Sequence, residues 1–321
     1  MKKFVVALLV AVFVVLSVIS APVVFAQKSD TIVFIPKSTD VTYWLFLRKG
    51  AADKGKELGY KLDYQGVARE SEIAGQVSLV QNIVATKPAG ILMAATDAKA
   101  LVPPVEAAIK AGIPIIMVDS GVASDAPLAS ITTDNFDGAY QAGKLLAKMI
   151  GEKGTVINLG ITAGSETGVQ RSDGFIKAIK EYPNIKLLPV QWTMAEAATA
   201  MNITSDLLTA NPDINGIFSA AAPMAVGAAQ ALKAKGLDKK IKLVTFDPSP
   251  EVLPLFEAGV INGIIAQDPY QMGYKGVELL DKVIKGGKIE QKKTQIPVAV
   301  ITPENYDKPE VKKLLQTPDK F

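Results

Sequence analysis

Two aspartates each close an apolar run. Ile115-Ile116-Met117-Val118 leads into Asp119, and Leu243-Val244-Thr245-Phe246 leads into Asp247. A carboxylate at a strand end, set in a cleft, can accept paired hydrogen bonds from vicinal hydroxyls. The competing reading is a helix N-cap, strongest for Asp247 because Pro248 follows it. Gln267, in Ala266-Gln267-Asp268-Pro269, adds a donor and an acceptor at another element end. Arg171 stands out through scarcity, since Arg48 and Arg69 are the only other arginines. Its planar five-donor fork fixes polar groups in a way lysine cannot. It is expected to face the cleft from near a helix start, against the alternative of a surface ion pair with Glu166 or Asp173. Tyr43 and Trp44 follow the first apolar run, and aromatic faces stack on the C–H surfaces of sugar rings. One of the two is expected to be plain core.

The elements that hold these residues form a regular alternation. Short apolar strands are expected at Thr31–Ile35, Lys61–Gln65, Gly90–Ala94 and Ile113–Val118, with amphipathic helices between them. The grammar restarts after a polar stretch near Gly121–Asp125. Strands follow at Thr155–Leu159, Lys186–Val190, Gly216–Ser219, Ile241–Phe246 and Gly263–Ala266, and a last single strand covers Ile296–Ile301. Near-continuous apolar strands separated by helices predict parallel sheets covered on both faces. Gly59, Gly90 and Gly112 are placed as helix stops. The expected fold class is therefore α/β, with two successive doubly wound units. In open α/β sheets ligands bind beyond the carboxyl ends of the strands, where Asp119, Asp247 and Gln267 lie.

Composition removes whole classes of chemistry. The 321 residues contain no histidine and no cysteine. A Ser-His-Asp triad, an imidazole base, thiol catalysis, disulfides and the usual zinc sites are all excluded. No pair of carboxylates has acid–base spacing, and the Gly160–Gly168 segment matches neither phosphate-loop pattern, reading instead as a flexible loop ahead of a helix. An enzyme, a cofactor and a metal are not expected. Basic and acidic residues nearly balance, 35 against 32, and do not cluster, so nucleic acid is not an expected partner.

Lys2 and Lys3 precede an unbroken apolar run from Phe4 to Leu16, and Val24-Phe25-Ala26 follows. This reads as a secretory signal peptide, residues 1–26, cleaved after Ala26. The alternative is an uncleaved anchor, but the run is shorter than the roughly 20 residues a spanning helix needs. A chain without cysteine carries no lipid anchor of the N-terminal cysteine type. The mature protein is expected to diffuse freely in the periplasm.

Taken in order, Ala111 to Asp119, Thr133-Asp134-Asn135, Arg171 to Phe175, Thr245-Phe246-Asp247 and Ile265-Ala266-Gln267 resemble the ribose/galactose type of bacterial periplasmic substrate-binding proteins, across essentially the whole mature chain. The resemblance implies the periplasmic binding protein type I fold, two Rossmann-like lobes joined by a three-segment hinge. It implies an N-terminal lobe of residues 29–132 plus 268–297 and a C-terminal lobe of residues 133–267 plus 298–321. It further implies a monomer that traps a sugar or polyol between the lobes and delivers it to a membrane ABC permease. Tyr43 and Trp44 then fall where aromatics stack on the sugar, Asp119, Arg171, Asp247 and Gln267 at hydrogen-bonding positions, and Thr133 at the first crossover.

Departures from that pattern are also visible. Val41, Ala94 and Ala221 stand where ribose binders carry asparagines, and Ser120 where they carry an arginine. A second-lobe aromatic would fall at Ala195, with Met194 or Trp192 as substitutes. Hydroxyls buried opposite alanine would go unpaired, which argues against plain ribose. Phe34-Ile35-Pro36-Lys37 with Ala74-Gly75-Gln76-Val77 resembles the autoinducer-receptor branch of the same family, in which a lysine at the place of Lys37 contacts a furanosyl signal. A furanosyl quorum-sensing receptor or a chemoreceptor-linked sugar sensor is the alternative reading.

Overall fold

The computed structural model describes residues 29–315, so the expected leader lies outside the described residues. Among the described residues no helix is long and apolar enough to cross a membrane. Two separate sheets organise the chain. The first contains β1 (Thr31–Ile35), β2 (Lys61–Tyr64), β3 (Gly90–Met93), β4 (Ile115–Val118), β5 (Ala129–Thr133) and β12 (Lys293–Ile296), in the order β12-β5-β4-β3-β1-β2. The second contains β6 (Gly154–Gly160), β7 (Ile185–Leu187), β9 (Ile214–Ser219), β10 (Lys242–Phe246), β11 (Gly263–Ala266) and β13 (Ala299–Ile301), in the order β13-β11-β10-β9-β6-β7. A short β8 (Gln191–Trp192) pairs with β6. Every pairing is parallel except β11 with β13.

The period-2 alternation of side chains explains why both faces of the first sheet must be covered. Ile32, Phe34, Leu92, Ile116 and Val118 pack with α1 (Tyr43–Leu58) and α9 (Pro269–Ile284). Val33, Ile35, Ile91, Met93, Ile115 and Met117 face the opposite way, against α2 (Ile73–Thr86) and α3 (Val102–Lys110). The second sheet is enclosed in one large apolar cluster by α4 (Asn135–Met149), α5 (Glu166–Ile179), α6 (Ala197–Ala210), α7 (Ala222–Ala234) and α8 (Val252–Glu257).

The two sheets have matching orders, with β4 and β10 in equivalent places and Asp119 and Asp247 at their carboxyl ends. The chain passes between the sheets three times: from β5 to α4, from β11 to α9, and from β12 to β13.

Several expectations are corrected. The single strand foreseen at Ile296–Ile301 is two strands in two sheets. Pro297 lies between them and has no N–H to offer either ladder, so pairing stops where the chain changes lobes. β5 was not foreseen because Ala-Ser-Ile-Thr-Thr is a half-polar edge-side segment, alternating buried and half-buried. The strand expected at Lys186–Val190 ends at Leu187, with Pro189 just beyond. α5 begins at Glu166, where Ser165 caps it by accepting from the Gly168 N–H. Gly59 and Gly112 do adopt left-handed φ after their helices, but the left-handed cap of α2 is Lys87, and Gly90 lies within β3. A helix not foreseen, α10 (Pro309–Leu315), follows β13.

Candidate functional site

Parallel strands of both sheets aim their carboxyl ends at one cleft, and those ends supply its polar groups. β1 leads to Lys37, β4 to Asp119, β10 to Asp247 and β11 to Gln267. Asp119 and Asp247 share an unusual backbone. Their φ angles are 62° and 67°, in the left-handed region that non-glycine residues seldom adopt. Each N–H donates to the neighbouring strand, Asp119 to the Ile131 carbonyl at 2.9 Å and Asp247 to the Ile265 carbonyl at 3.0 Å. The N-cap alternative is thereby set aside, since the cap position of α8 is Glu251 and no helix starts at Asp119. Strained backbone held in duplicate at a cleft is a pointer to function.

Around Asp119, the Tyr43 hydroxyl donates to Oδ1 at 2.9 Å and the Lys37 ammonium lies 3.4 Å from Oδ2. Lys37 also donates across the cleft to Ser165 Oγ at 3.0 Å and Thr167 Oγ1 at 2.7 Å. Around Asp247, Gln267 Nε2 donates to Oδ1 at 2.7 Å, and the Gln267 carbonyl oxygen accepts from Thr133 Oγ1. Arg171 Nη1 lies 3.7 Å from Asp247 Oδ2. Its Nε donates to Asn135 Oδ1 at 2.8 Å and its Nη1 to the Ala220 carbonyl at 2.7 Å, with the guanidinium 4.0 Å from the Phe246 ring centroid. This buried setting overturns the surface ion-pair alternative. Asp173 is exposed, and Glu166 instead accepts from the Gly121 N–H at 2.7 Å, across the cleft.

Lys37, Tyr43, Trp44, Asp119, Arg171, Asp247 and Gln267 line one cavity of about 510 Å³ including its mouth. Thr133 is not on its wall and reaches it through Gln267. Trp44 belongs to the first-lobe core with its edge against Tyr43, and its indole N–H has no partner among the described residues. Tyr43 is the half-buried one and directs its hydroxyl at Asp119. Of the asparagine replacements, Val41 and Ala221 line the cavity, whereas Ala94 is buried away from it and its carbonyl accepts from Gln76. Ala195 lines the cavity too, Met194 is exposed and lines only the space outside it, and Trp192 packs on Gly160. The glycine-rich segment Gly160–Gly168 is more than a spacer, for it presents Ser165 and Thr167 to Lys37 and the Gly164 carbonyl to the Ala98 N–H.

Sequence reasoning missed Glu70, which also lines the cavity and whose buried Oε2 has no hydrogen-bond partner among the described residues. It lies in the loop after β2, so the strand-end rule applied to that edge strand would have found it. It likewise missed the positioning role of Asn135, which holds the Arg171 fork.

Burial raises the carboxyl of Asp247 above the usual range, against the opposing pull of Arg171, and it raises Glu70 with Lys37 opposing. Burial also lifts the Tyr43 phenol well above its ordinary value, helped by Asp119. Tyr43 is therefore a neutral donor at physiological pH. For both raised acids the folded state holds protons the unfolded state has lost, so their contribution to stability falls as pH rises. The fall begins near the unfolded values of 3.8 for Asp247 and 4.5 for Glu70 and runs through the raised folded values. Glu70→Gln is expected to raise the melting temperature near neutral pH and to converge on wild type near pH 4. Melting curves from about pH 4 to 8 check this, and a constant wild-type-minus-variant difference would refute it.

The comparisons with known proteins bear on this geometry. A family profile described as "Periplasmic binding protein domain" matches residues 32–288. The chain belongs to the periplasmic binding protein family. Among its curated relatives, this family member is similar to the ribose import binding protein of Haemophilus influenzae, 32% identical over 259 residues, covering 81% of this chain and 86% of that one. It is 30% identical to the D-allose-binding periplasmic protein of Escherichia coli, covering 79% and 84%. Among solved structures, it resembles a carbohydrate transporter solute binding protein from Agrobacterium radiobacter in complex with D-arabinose. That match has a TM-score of 0.86 at 36% identity and covers 91% of this chain and 100% of that one. The two-lobed α/β architecture is thus shared with these binding proteins.

Proposed function

We propose that the protein captures a sugar or sugar-like polyol between its lobes and delivers it to an ABC importer in the membrane. The observation that carries this reading is the mirrored pair Asp119 and Asp247, aimed at one cavity from equivalent strand ends and completed by Arg171, Gln267, Tyr43 and Lys37. Fixed carboxylates accept from vicinal hydroxyls, the buried fork and amide donate to them, and Tyr43 and Trp44 provide the apolar wall. The names of the relatives support the same class of ligand. The lobes, residues 29–132 with 268–297 and 133–267 with 298–321, swing about the three crossings, and ligand shifts an open–closed equilibrium toward the closed form. The protein works in the periplasm as a monomer, after cleavage following Ala26.

Calorimetric titration with D-ribose, D-arabinose, D-allose, D-apiose, D-fucose and D-tagatose tests the proposal, these being the sugars named for its relatives. Submillimolar binding with a raised melting temperature is expected for a member of that set or for an inositol. No binding to any polyol would sink it. The buried Lys37 in the cavity wall supports a second reading, a receptor for a furanosyl signal, so the same titration includes one.

Lys37 also bridges the lobes, which makes it a latch as well as a wall residue. Lys37→Met keeps the length of the side chain and removes those donors. It is expected to weaken binding by about 1.5–3 kcal/mol, as loss of a charged hydrogen-bond partner does. It is also expected to leave more protein open in the presence of sugar, read as a larger radius of gyration by small-angle scattering. Unchanged affinity and unchanged dimensions would remove the latch role.

A further inference from the structure

The cavity between Asp119 and Asp247 has a neighbour at the cleft mouth. Val41, Glu70, Ala195, Ala222, Pro223 and Ser249 line both this cavity and a second space of about 1080 Å³, partly open to solvent at the cleft mouth. Most of the side chains at the border are short. The outer space is not a gap left by separated lobes. Lys37 already reaches Ser165 and Thr167, and Gly121 already donates to Glu166. Arg69 and Glu196, both on the outer chamber's wall, stand 3.9 Å apart across the same cleft. A chamber that persists with the lobes in contact is a feature of the closed form.

Glu70 stands where the two spaces meet, and its unpartnered Oε2 is a second, independent sign. A buried carboxyl oxygen without a hydrogen bond is costly, and a ligand donor at that point would satisfy it. The outer chamber carries Asp40, Glu70, Glu196 and Glu251 against Arg69, a balance that repels an anionic group and suits a neutral polyhydroxylated one. Met194, Ala197, Ala198 and Val226 give it an apolar floor for a ring face.

We infer that the ligand is longer than one sugar ring. Resting on the sugar-binding reading, this makes it a disaccharide or related glycoside. One ring lies between Asp119 and Asp247, and a second, uncharged ring lies in the outer chamber with a hydroxyl donating to Glu70 Oε2.

The test compares monosaccharides with disaccharides that contain them, by calorimetry on the full mature chain: D-xylose with xylobiose, D-galactose with lactose and melibiose, D-glucose with cellobiose and maltose, and L-arabinose with arabinobiose. At least one disaccharide is expected to bind about tenfold or more tighter than its component sugars. Ala198→Trp, at an exposed position that lines the outer chamber alone, is expected to abolish that advantage while leaving monosaccharide affinity within about twofold. If monosaccharides bind at least as tightly as every disaccharide containing them, or if Ala198→Trp leaves a disaccharide's affinity intact, the inference falls and the sugar-binding reading stands. If no sugar of either length binds, both fall.

Discussion

Asp119→Ala is expected to weaken sugar binding by about 2–4 kcal/mol, roughly 30- to 700-fold in Kd, and to lower stability as well, because it breaks the buried pair with Lys37. The loss of stability is limited by what its neighbours keep. Lys37 retains Ser165 and Thr167, and the Tyr43 hydroxyl retains Gln267 at 3.4 Å and the Met272 sulfur at 3.8 Å. Lys37 loses its paired carboxylate, and only the Glu70 and Asp247 carboxyls remain close enough to feel its charge. What disappears is a carboxylate whose remaining lone pairs face the cavity, where a ligand hydroxyl would be left without an acceptor. The backbone adds a separable effect, because alanine tolerates a φ of 62° less well than aspartate does. Asp119→Gly removes the same carboxylate without that strain, so it should bind as poorly as Asp119→Ala while unfolding at a higher temperature. Asp119→Asn keeps one acceptor and the left-handed preference and should fall between wild type and alanine. Calorimetry and thermal melts separate the two effects. Binding by Asp119→Ala within about threefold of wild type would take Asp119 out of the site.

Gly273→Val is expected to destabilise the protein by about 3 kcal/mol or more, at the upper end of the range for overpacked cores. α1 and α9 touch backbone to backbone. A Cβ on Gly273 would overlap the Leu47 carbonyl oxygen and come within 2.8 Å of the Ala51 nitrogen, and a Cβ on Gly50 would overlap the Tyr270 carbonyl. These neighbours are main-chain atoms inside helices, so neither can rotate away as a flexible side-chain end would. The helices would have to separate, and they are what positions the site. α1 begins with Tyr43 and Trp44, and α9 begins two residues after Gln267. Binding should therefore weaken together with stability. Urea unfolding gives the measurement, and a change below about 1 kcal/mol would show that the helix pair yields more easily than its geometry implies.

How much of this was legible depends on how local each signal is. A strand buried on both faces must be a run of apolar residues, so β1, β4 and β11 are plain in the chain. β5 is half-polar and acquires its strand character only by pairing between β4 and β12. The split between β12 and β13 depends on two different sheets being present to receive them, although Pro297 marks the place. In the site, Asp119, Asp247 and Gln267 were visible because strand ends are visible and ligands gather there. Glu70 was not, because β2 is a poorly apolar edge strand and a glutamate in a loop is ordinary until its oxygen is found buried without a partner.

The sequence by itself determined the class of chemistry and the ends of the strands. Without histidine or cysteine the cleft holds no imidazole and no thiol, and residue types at strand ends are a one-dimensional fact. Only the tertiary structure decided which of those residues meet. Arg171 could have been a surface ion pair until α5 packed against α4 and β6 and closed its fork on Asn135 and the Ala220 carbonyl. Lys37 and Thr167, 130 positions apart, became partners only when two lobes closed on one another. The outer chamber likewise exists in no segment of the chain. It is the space left between two surfaces, and the shape of such a space is set by the packing of both lobes rather than by any local pattern.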